Sequence, residues 1–218
     1  PASSVHPAIL LPRQAMPPRL PALSPADSYD IVAIGASTGG IHALSGLLRA
    51  LPPTFTLPML ITQHLPVSFM PYFAAQLSVM ARRPCDVATE RMRLRPGRLV
   101  VAPGDAHIRV VRLSDGGGAI RLSTEPAASG CLPSVDPMFA SIAAAYGDRA
   151  LAVVLSGMGR DGSEGARLMH EAGACVIAQD QGSSVVWGMP GAVVARGIAD
   201  AVLDPEAIGR LMADRRRP

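Results

Sequence analysis

The chain has 218 residues, 20 basic and 17 acidic side chains for a formal net charge of +3, 4% aromatic residues and three cysteines, and all its basic residues are arginine. Balanced charge and scarce aromatics argue against nucleic-acid binding, and an odd number of widely spaced cysteines argues against a disulfide framework or a cysteine metal site. With no apolar stretch of transmembrane length and no signal peptide, we expect a cytoplasmic protein without membrane insertion.

Proline dominates the first part of the chain. Residues 1–28 contain seven prolines, which break regular elements, and they predict an extended linker or tail. Residues 29–213 are long enough for one α/β domain with a sizeable core. Residues 214–218 are predicted to be an arginine-rich tail. The absence of an initial methionine suggests that the chain is part of a longer protein.

The first predicted strand ends in a serine. Residues 31–34 are a continuous apolar run, typical of a strand covered on both faces of a parallel sheet. Residues 35–39 then match the G-x-S-x-G pattern of a nucleophile elbow, and apolar residues at helical spacing begin at Ile41. Ser37 would therefore lie near a helix N-terminus, which stabilises negative charge. The pattern by itself fits either a nucleophile or a phosphate-binding turn.

Two histidines are candidates for the base that such a serine needs. His64 ends the apolar run of residues 57–63, so it would project from the carboxyl end of a second strand, where ligands gather in parallel sheets. His107 follows a third apolar run and is the rival candidate. A loop histidine bonded to its own turn is the alternative interpretation of His107.

A carboxylate follows a later strand in the same way. Residues 150–155 form another buried run, and the glycine-flanked Asp161 comes shortly after it. Asp161 could orient the imidazole of a Ser-His-Asp triad, or it could cap the next helix. The presence of a serine, a histidine and an aspartate at three strand ends favours the triad.

Apolar runs alternate with helical patterns along the chain, which predicts right-handed crossovers. The expected fold is α/β: a doubly wound, mostly parallel sheet with helices on both faces. The stretch from residue 98 to residue 123 contains an Asp-Gly-Gly-Gly turn and predicts an antiparallel hairpin at one edge of the sheet.

The chain closely resembles the catalytic domain of the CheB-type chemotaxis protein-glutamate methylesterases. The blocks that carry the resemblance are IGASTGG (34–40), ITQHLP (61–66), PG (96–97), VAPGDAH (101–107), PSVD (133–136), SGMGRDG (156–162), VIAQ (176–179) and SSVVWGMP (183–190). They occur in the family's order and cover most of the chain, so residues 29–213 are expected to be the catalytic domain.

The resemblance implies specific roles for the candidate catalytic residues. Ser37 matches the nucleophile, His64 the general base and Asp161 the orienting carboxylate. The implied enzyme is a serine hydrolase, a protein-glutamate methylesterase that demethylates glutamate methyl esters on chemoreceptor helices. It works through an acyl-enzyme and releases methanol, and glutamine deamidation is a second implied activity. The resemblance implies no cofactor and no metal.

Further residues match the family around this triad. Thr38 matches a residue that supports the nucleophile, and Met158 matches a position whose backbone N–H helps to bind the oxyanion. Asp136, Gly159 and Met189 lie in the resembling blocks and are expected to contact the substrate.

The partners implied by the resemblance are methylated cytoplasmic helices of chemoreceptors, a receiver domain in cis and a sensor kinase. Two departures from the family pattern remove cations near the expected site: Cys131-Leu132 replaces a polar and basic pair, and Gly191 replaces an arginine or lysine. These departures leave two alternatives open. One is a catalytically weak or inactive docking module in chemosensory signalling, and the other is a serine esterase with a different substrate.

Overall fold

The computed structural model describes residues 29–214. The predicted linker at residues 1–28 lies outside the described residues, as does the predicted tail apart from Asp214. The strands of the described range are β1 (Ile31–Ala36), β2 (Met59–Gln63), β3 (Cys85–Val87), β4 (Leu99–Val101), β5 (His107–Arg112), β6 (Gly118–Ser123), β7 (Ala150–Val154), β8 (Cys175–Gln179) and β9 (Ala201–Leu203). Its α-helices are α1 (Gly40–Arg49), α2 (Met70–Ala81), α3 (Val135–Tyr146), α4 (Ser163–Glu171), α5 (Gly188–Ala195) and α6 (Pro205–Asp214).

Seven of these strands form one sheet in the order β3-β4-β2-β1-β7-β8-β9, and every pairing in it is parallel. The central strands β1, β2 and β7 are buried along their whole length. This explains their continuous apolar runs, because helices cover both faces of the sheet. The predicted α/β fold class is confirmed.

The predicted hairpin is present, but its extent and placement differ from expectation. β5 and β6 pair as a separate two-stranded antiparallel sheet, whereas residues 99–101 belong to the large sheet as β4. The hairpin is tied to α3 by a hydrogen bond from the Val110 N–H to Ser141 Oγ (2.9 Å). The residues that the structure describes show no hydrogen-bonded ladder between the hairpin and an edge of the large sheet.

Two apolar cores lie on opposite faces of the large sheet. On one face, Val32 and Ile34 of β1 pack with the buried sides of α1, α2 and α6. On the other, Ile31 and Ala33 pack with α3, α4, α5 and the hairpin. The alternation along β1 follows from the two-residue period of a strand. Within residues 29–214, no helix combines the length and apolar character needed to cross a bilayer.

The chain reverses its direction of winding at β1. The crossover through α1 adds β2 on one side of β1 and packs in the first core, whereas α4 links β7 to β8 in the second core. A crevice at the carboxyl ends of the strands is expected at such a switch point. Ser37, His64 and Asp161 follow the three strands that meet there.

Candidate active site

Strand pairing fixes the backbone of Ser37. Ala36 pairs with Gln63 in the β1–β2 register, so Ser37 and His64 are the next residues on two neighbouring strands. The Ser37 N–H donates to the Ser156 carbonyl (3.0 Å), and the Gln63 amide donates to the Ser37 carbonyl (2.8 Å). Both groups come from strand ends adjacent to β1, so the serine is held from both sides.

The turn after Ser37 requires glycine at two positions. Gly39 has φ of +81°, a left-handed conformation that glycine adopts without strain. At Gly40 a β-carbon would lie 2.3 Å from Gln63 Oε1, so only glycine lets the start of α1 approach β2 this closely. The tight turn places Ser37 at the N-terminal end of α1.

His64 and Asp161 form a hydrogen-bonded pair at the centre of the site. His64 Nε2 lies 2.7 Å from Asp161 Oδ2, and Asp161 is only 3% exposed. Since Nε2 is engaged with the carboxylate, Nδ1 is the ring nitrogen available to a proton donor. Ser37 Oγ has no hydrogen-bond partner within residues 29–214, and the bond between a candidate nucleophile and its base often forms only when a substrate binds.

Asp161 is stabilised in its ionised form. Its carboxylate accepts hydrogen bonds from His64, from Ser134 Oγ (2.6 Å) and from the N–H groups of Val135 (2.8 Å) and Gly162 (3.0 Å). Burial alone would raise its pKa, but the bonds from His64, Ser134 and Val135 outweigh burial and lower the pKa to about 2. The carboxylate therefore stays negative over the whole physiological range.

His107, the other candidate base, stabilises this network through a hydrogen bond with the backbone of Ser134. It is 1% exposed; its Nε2 donates to the Glu125 carbonyl (2.9 Å) and its Nδ1 accepts the Ser134 N–H (2.8 Å). These partners define a neutral tautomer and leave neither nitrogen free for Ser37. His107 instead fixes the segment that carries Ser134, which bonds Asp161 directly.

Thr38 and Met158 lie beside Ser37. The Ser156 hydroxyl donates to the Thr38 carbonyl (2.7 Å), and the Ser156 N–H donates to Gln179 Oε1 (2.7 Å). The backbone N–H groups of Thr38 and Met158 have no acceptor within the described part of the chain. A β-carbon at Gly157, next to Met158, would lie 2.9 Å from Ser37 Cβ. Two free donors thus border the serine.

The three predicted substrate contacts occupy different environments. Asp136 accepts the Gly165 N–H (2.7 Å), which joins α3 to α4; burial, and then the charge of Asp161, raise the pKa of Asp136 to about 6. Gly159 is exposed, with φ of +82°. Met189 is fully buried beneath Gly157, so its side chain influences a substrate only through the turn above it.

Sequence reasoning did not identify four polar residues that build this site: Gln63, Ser134, Ser156 and Gln179. All four are buried, with no more than 2% exposure. Gln63 and Gln179 each end a buried apolar strand, and that position was the available signal. The two serines carried none, since their partners are distant in sequence.

Three exposed apolar side chains lie on segments next to the candidate catalytic residues. Leu132 is 50% exposed and Met158 68% exposed, and Val185, 64% exposed, would contact a β-carbon at Gly39. Leu132 stands where the resemblance led us to expect a cation. Cys131, the residue before it, is half-buried and lies beside His64 and Asp161.

Comparison with known proteins finds a family model and several relatives. A family model described as CheB methylesterase matches residues 32–212. A protein-glutamate methylesterase/protein-glutamine glutaminase of Nocardioides sp. is 46% identical over 203 residues, which are 89% of this chain and 54% of the relative. A protein of Caulobacter vibrioides with the same name, numbered 2, is 41% identical over 206 residues, covering 94% of this chain and 59% of the relative.

A solved structure agrees with the fold as well. The crystal structure of the Thermotoga maritima CheB methylesterase catalytic domain has a TM-score of 0.82 and 33% sequence identity. The match covers 86% of this chain and 98% of that one. The chain spans about half the length of the curated relatives it matches.

Proposed function

Because the chain belongs to the CheB methylesterase family, we propose that it is a protein-glutamate methylesterase that hydrolyses glutamate γ-methyl esters on chemoreceptors and also deamidates glutamine side chains. The observation that carries the proposal is the 2.7 Å bond between His64 and the buried Asp161, placed at the strand end next to Ser37. A serine, a histidine and an ionised aspartate on three neighbouring strand ends are the parts of a nucleophilic triad.

In the first half-reaction, Ser37 Oγ attacks the ester carbonyl while His64 Nδ1 accepts the hydroxyl proton. The tetrahedral intermediate carries a negative oxygen, and the free N–H groups of Thr38 and Met158 are the proposed donors to it. One such donor typically stabilises the transition state by about 3 kcal/mol. The intermediate then collapses to an acyl-enzyme, and methanol leaves with the proton from His64.

In the second half-reaction, water replaces the alcohol. His64 Nδ1 takes a proton from the water as the water attacks the acyl-enzyme. The proton then returns to Ser37 Oγ, and the product is a free glutamate side chain. With a glutamine side chain the same steps release ammonia.

Asp161 acts through His64 in both halves. With its pKa near 2 it remains ionised at neutral pH, so it stabilises the imidazolium that forms after each proton transfer and holds the ring with Nδ1 toward Ser37. In a well-studied serine protease triad, replacement of the aspartate by asparagine lowers kcat by about 10⁴. We expect a loss of similar order from Asp161→Asn.

The proposed setting follows from the same resemblance. The substrates are methylated cytoplasmic helices of chemoreceptors, and the proposed location is the cytoplasm. A receiver domain in cis and a sensor kinase are the proposed regulators. Asp136, Gly159 and Met189 remain proposed substrate-site positions, with Asp136 and Met189 acting through the turns they support.

A second candidate function rests on the border of the site. Leu132, Met158 and Val185 add exposed apolar side chains to that border, where further cations would favour an acidic receptor helix. This favours either a weakly active docking module or a serine esterase that prefers a less acidic substrate. Measured turnover on a receptor peptide and on a neutral ester distinguishes these alternatives.

The test is methanol release from methylated receptor by the parent chain, by Ser37→Ala and by the control Ser45→Ala, which changes a serine of α1 outside the triad. We expect release by the parent and by Ser45→Ala and none by Ser37→Ala, with all three equally folded. Release by Ser37→Ala would refute the assigned nucleophile. Silence from the parent on the receptor with activity on a neutral ester would replace the proposed substrate.

A further inference from the structure

A cysteine lies among the candidate catalytic side chains. Three potential metal-binding atoms lie within 4.8 Å of one another, one each from His64, Cys131 and Asp161. Cys131 is a free thiol. Cys131 lies between β6 and α3 in a segment without helix or strand, and its thiol contacts the Ser129 carbonyl at 3.9 Å. The proposed hydrolysis gives this thiol no task.

The three donors match the preferences of zinc. Thiolate sulfur, imidazole nitrogen and carboxylate oxygen are the usual ligands of Zn²⁺, at about 2.0–2.3 Å from the ion. Donors in such a tetrahedral site are about 3.3–3.6 Å apart. His64 Nε2 and Asp161 Oδ2, which lie 2.7 Å apart, would therefore open slightly to admit the ion, and the Cys131 thiol would approach them by up to about 1 Å. The irregular segment that carries Cys131 is the element that can supply this movement.

The charges also balance. Asp161 is already ionised, and binding releases the thiol proton of Cys131 to solvent. His64 stays neutral if its proton moves from the nitrogen that binds the ion to the other ring nitrogen. Two anionic ligands and one neutral ligand then offset the charge of Zn²⁺, which lowers the cost of placing the ion beside a residue as buried as Asp161.

We propose that His64, Cys131 and Asp161 form a binding site for Zn²⁺, with the fourth position open to water. The ion would occupy the imidazole and carboxylate that the proposed reaction needs. In an active enzyme, zinc is therefore an inhibitor and not a cofactor. The inference goes beyond the proposed function, and metal binding can be measured without any substrate.

The binding test uses the full chain, with Zn²⁺ titrated in competition with a chromophoric chelator. We expect one tight site in the parent, at least tenfold weaker binding in Cys131→Ser and Cys131→Ala, and unchanged binding in Cys85→Ser. Cys85 is the matched control because it starts the outermost strand β3, at the amino end of the sheet and away from the site. Ser37→Ala should bind zinc as the parent does.

Cobalt provides an independent measurement on the parent protein. Co²⁺ in the site should show a thiolate-to-metal charge-transfer band and the intense visible bands of tetrahedral coordination. Absence of the charge-transfer band in the parent would refute the proposed site, and this result does not depend on how well any variant folds. Equal zinc affinity in the parent and in Cys131→Ser would also refute it.

Methanol release with and without added Zn²⁺ tests the consequence. For each protein we take the ratio of the rate without Zn²⁺ to the rate with Zn²⁺. This ratio should be at least tenfold larger for the parent and for Cys85→Ser than for Cys131→Ser. Equal suppression in all three, or activation by zinc, would refute inhibition through this site. A parent that is inactive without zinc would refute the proposed function, while the binding measurements would still decide the site.

Discussion

Ser134→Ala should destabilise the protein in a pH-dependent way. Ser134 Oγ donates to Asp161 Oδ1 at 2.6 Å in a fully buried position, and after the change this oxygen keeps only the Gly162 N–H at 3.0 Å. Ser134 also caps α3 by accepting the Asp136 N–H. The substitution therefore removes a charge-assisted bond together with a helix cap.

The two contributions have different sizes and different pH dependence. A hydrogen bond to a charged group stabilises by about 1.5–3 kcal/mol, and a serine cap by about 1 kcal/mol. The fall of the Asp161 pKa from 3.8 to about 2 corresponds to about 2.5 kcal/mol, which is the net effect of several hydrogen bonds against burial, and the Ser134 bond supplies part of the lowering. We expect a loss of about 3 kcal/mol at pH 7.

The sign follows from the direction of the pKa shift. A lowered carboxyl pKa stabilises the folded state above the unfolded pKa near 4, and this stabilisation is lost as pH falls through 2. Removing the Ser134 bond raises the folded pKa of Asp161 toward its ordinary value. The difference between parent and variant should therefore shrink by about 1 kcal/mol on going from pH 7 to pH 3, and the rest of the pH-dependent part should be lost completely only below pH 2.

Urea unfolding at pH 7 and pH 3 measures this difference. The matched control is Ser141→Ala on the same helix, because Ser141 bonds the Met138 carbonyl and the Val110 N–H and no carboxylate. Its loss of stability should be the same at both pH values. A Ser134→Ala loss that is equal at pH 7 and pH 3, or below about 0.5 kcal/mol at pH 7, would refute the role assigned to the Asp161 bond.

Three further predictions concern groups around the site. The pKa of Asp136 is raised to about 6, so ionising this carboxyl destabilises the folded state. Between pH 4 and pH 7 the unfolding free energy of the parent should therefore fall by up to about 3 kcal/mol relative to that of Asp136→Asn, and a difference that does not change with pH would contradict this. Gly40→Ala should lower the unfolding free energy by about 1–3 kcal/mol and slow methanol release, because the new β-carbon would lie 2.3 Å from Gln63 Oε1. Gly46→Ala is the control and should have a smaller effect, because the atom nearest to its β-carbon would be 3.2 Å away. His107→Leu should cost about 1–3 kcal/mol in urea unfolding because the Ser134 N–H loses its acceptor, and an unchanged midpoint would show that the bond does not matter.

The sequence predicted the strand ends that build the site. Strands β1, β2 and β7 are buried on both faces, and this produces continuous apolar runs that stand out in a sequence. Because parallel strands present their carboxyl ends at one edge, the residues after those runs could be expected to meet. The contact between His64 and Asp161 agrees with that expectation, and their catalytic roles stay predictions.

The supporting network could not be predicted in the same way. Ser134 bonds Asp161 across 27 positions and Ser156 bonds Thr38 across 118, and no local pattern encodes such partners. The sequence left two roles open for His107, a catalytic base or a structural loop histidine. They differ in which atoms face its ring nitrogens, and that depends on the packing of the segment before α3. The hairpin was misplaced because the pattern of β5 shows an apolar face without showing whether α3 or the sheet covers it.

The order of strands in the sheet has a consequence for how activity arises during folding. β1 and β7 are neighbours, and the Asp30–Arg149 ion pair beside them joins residues 119 positions apart. A chain emerging from the ribosome therefore carries Ser37 and His64 long before Asp161 can join them. Contacts of such long sequence range form slowly. The rate at which hydrolysis returns after dilution from denaturant should therefore match the rate at which β7 pairs with β1, and not the rate at which β1 pairs with β2.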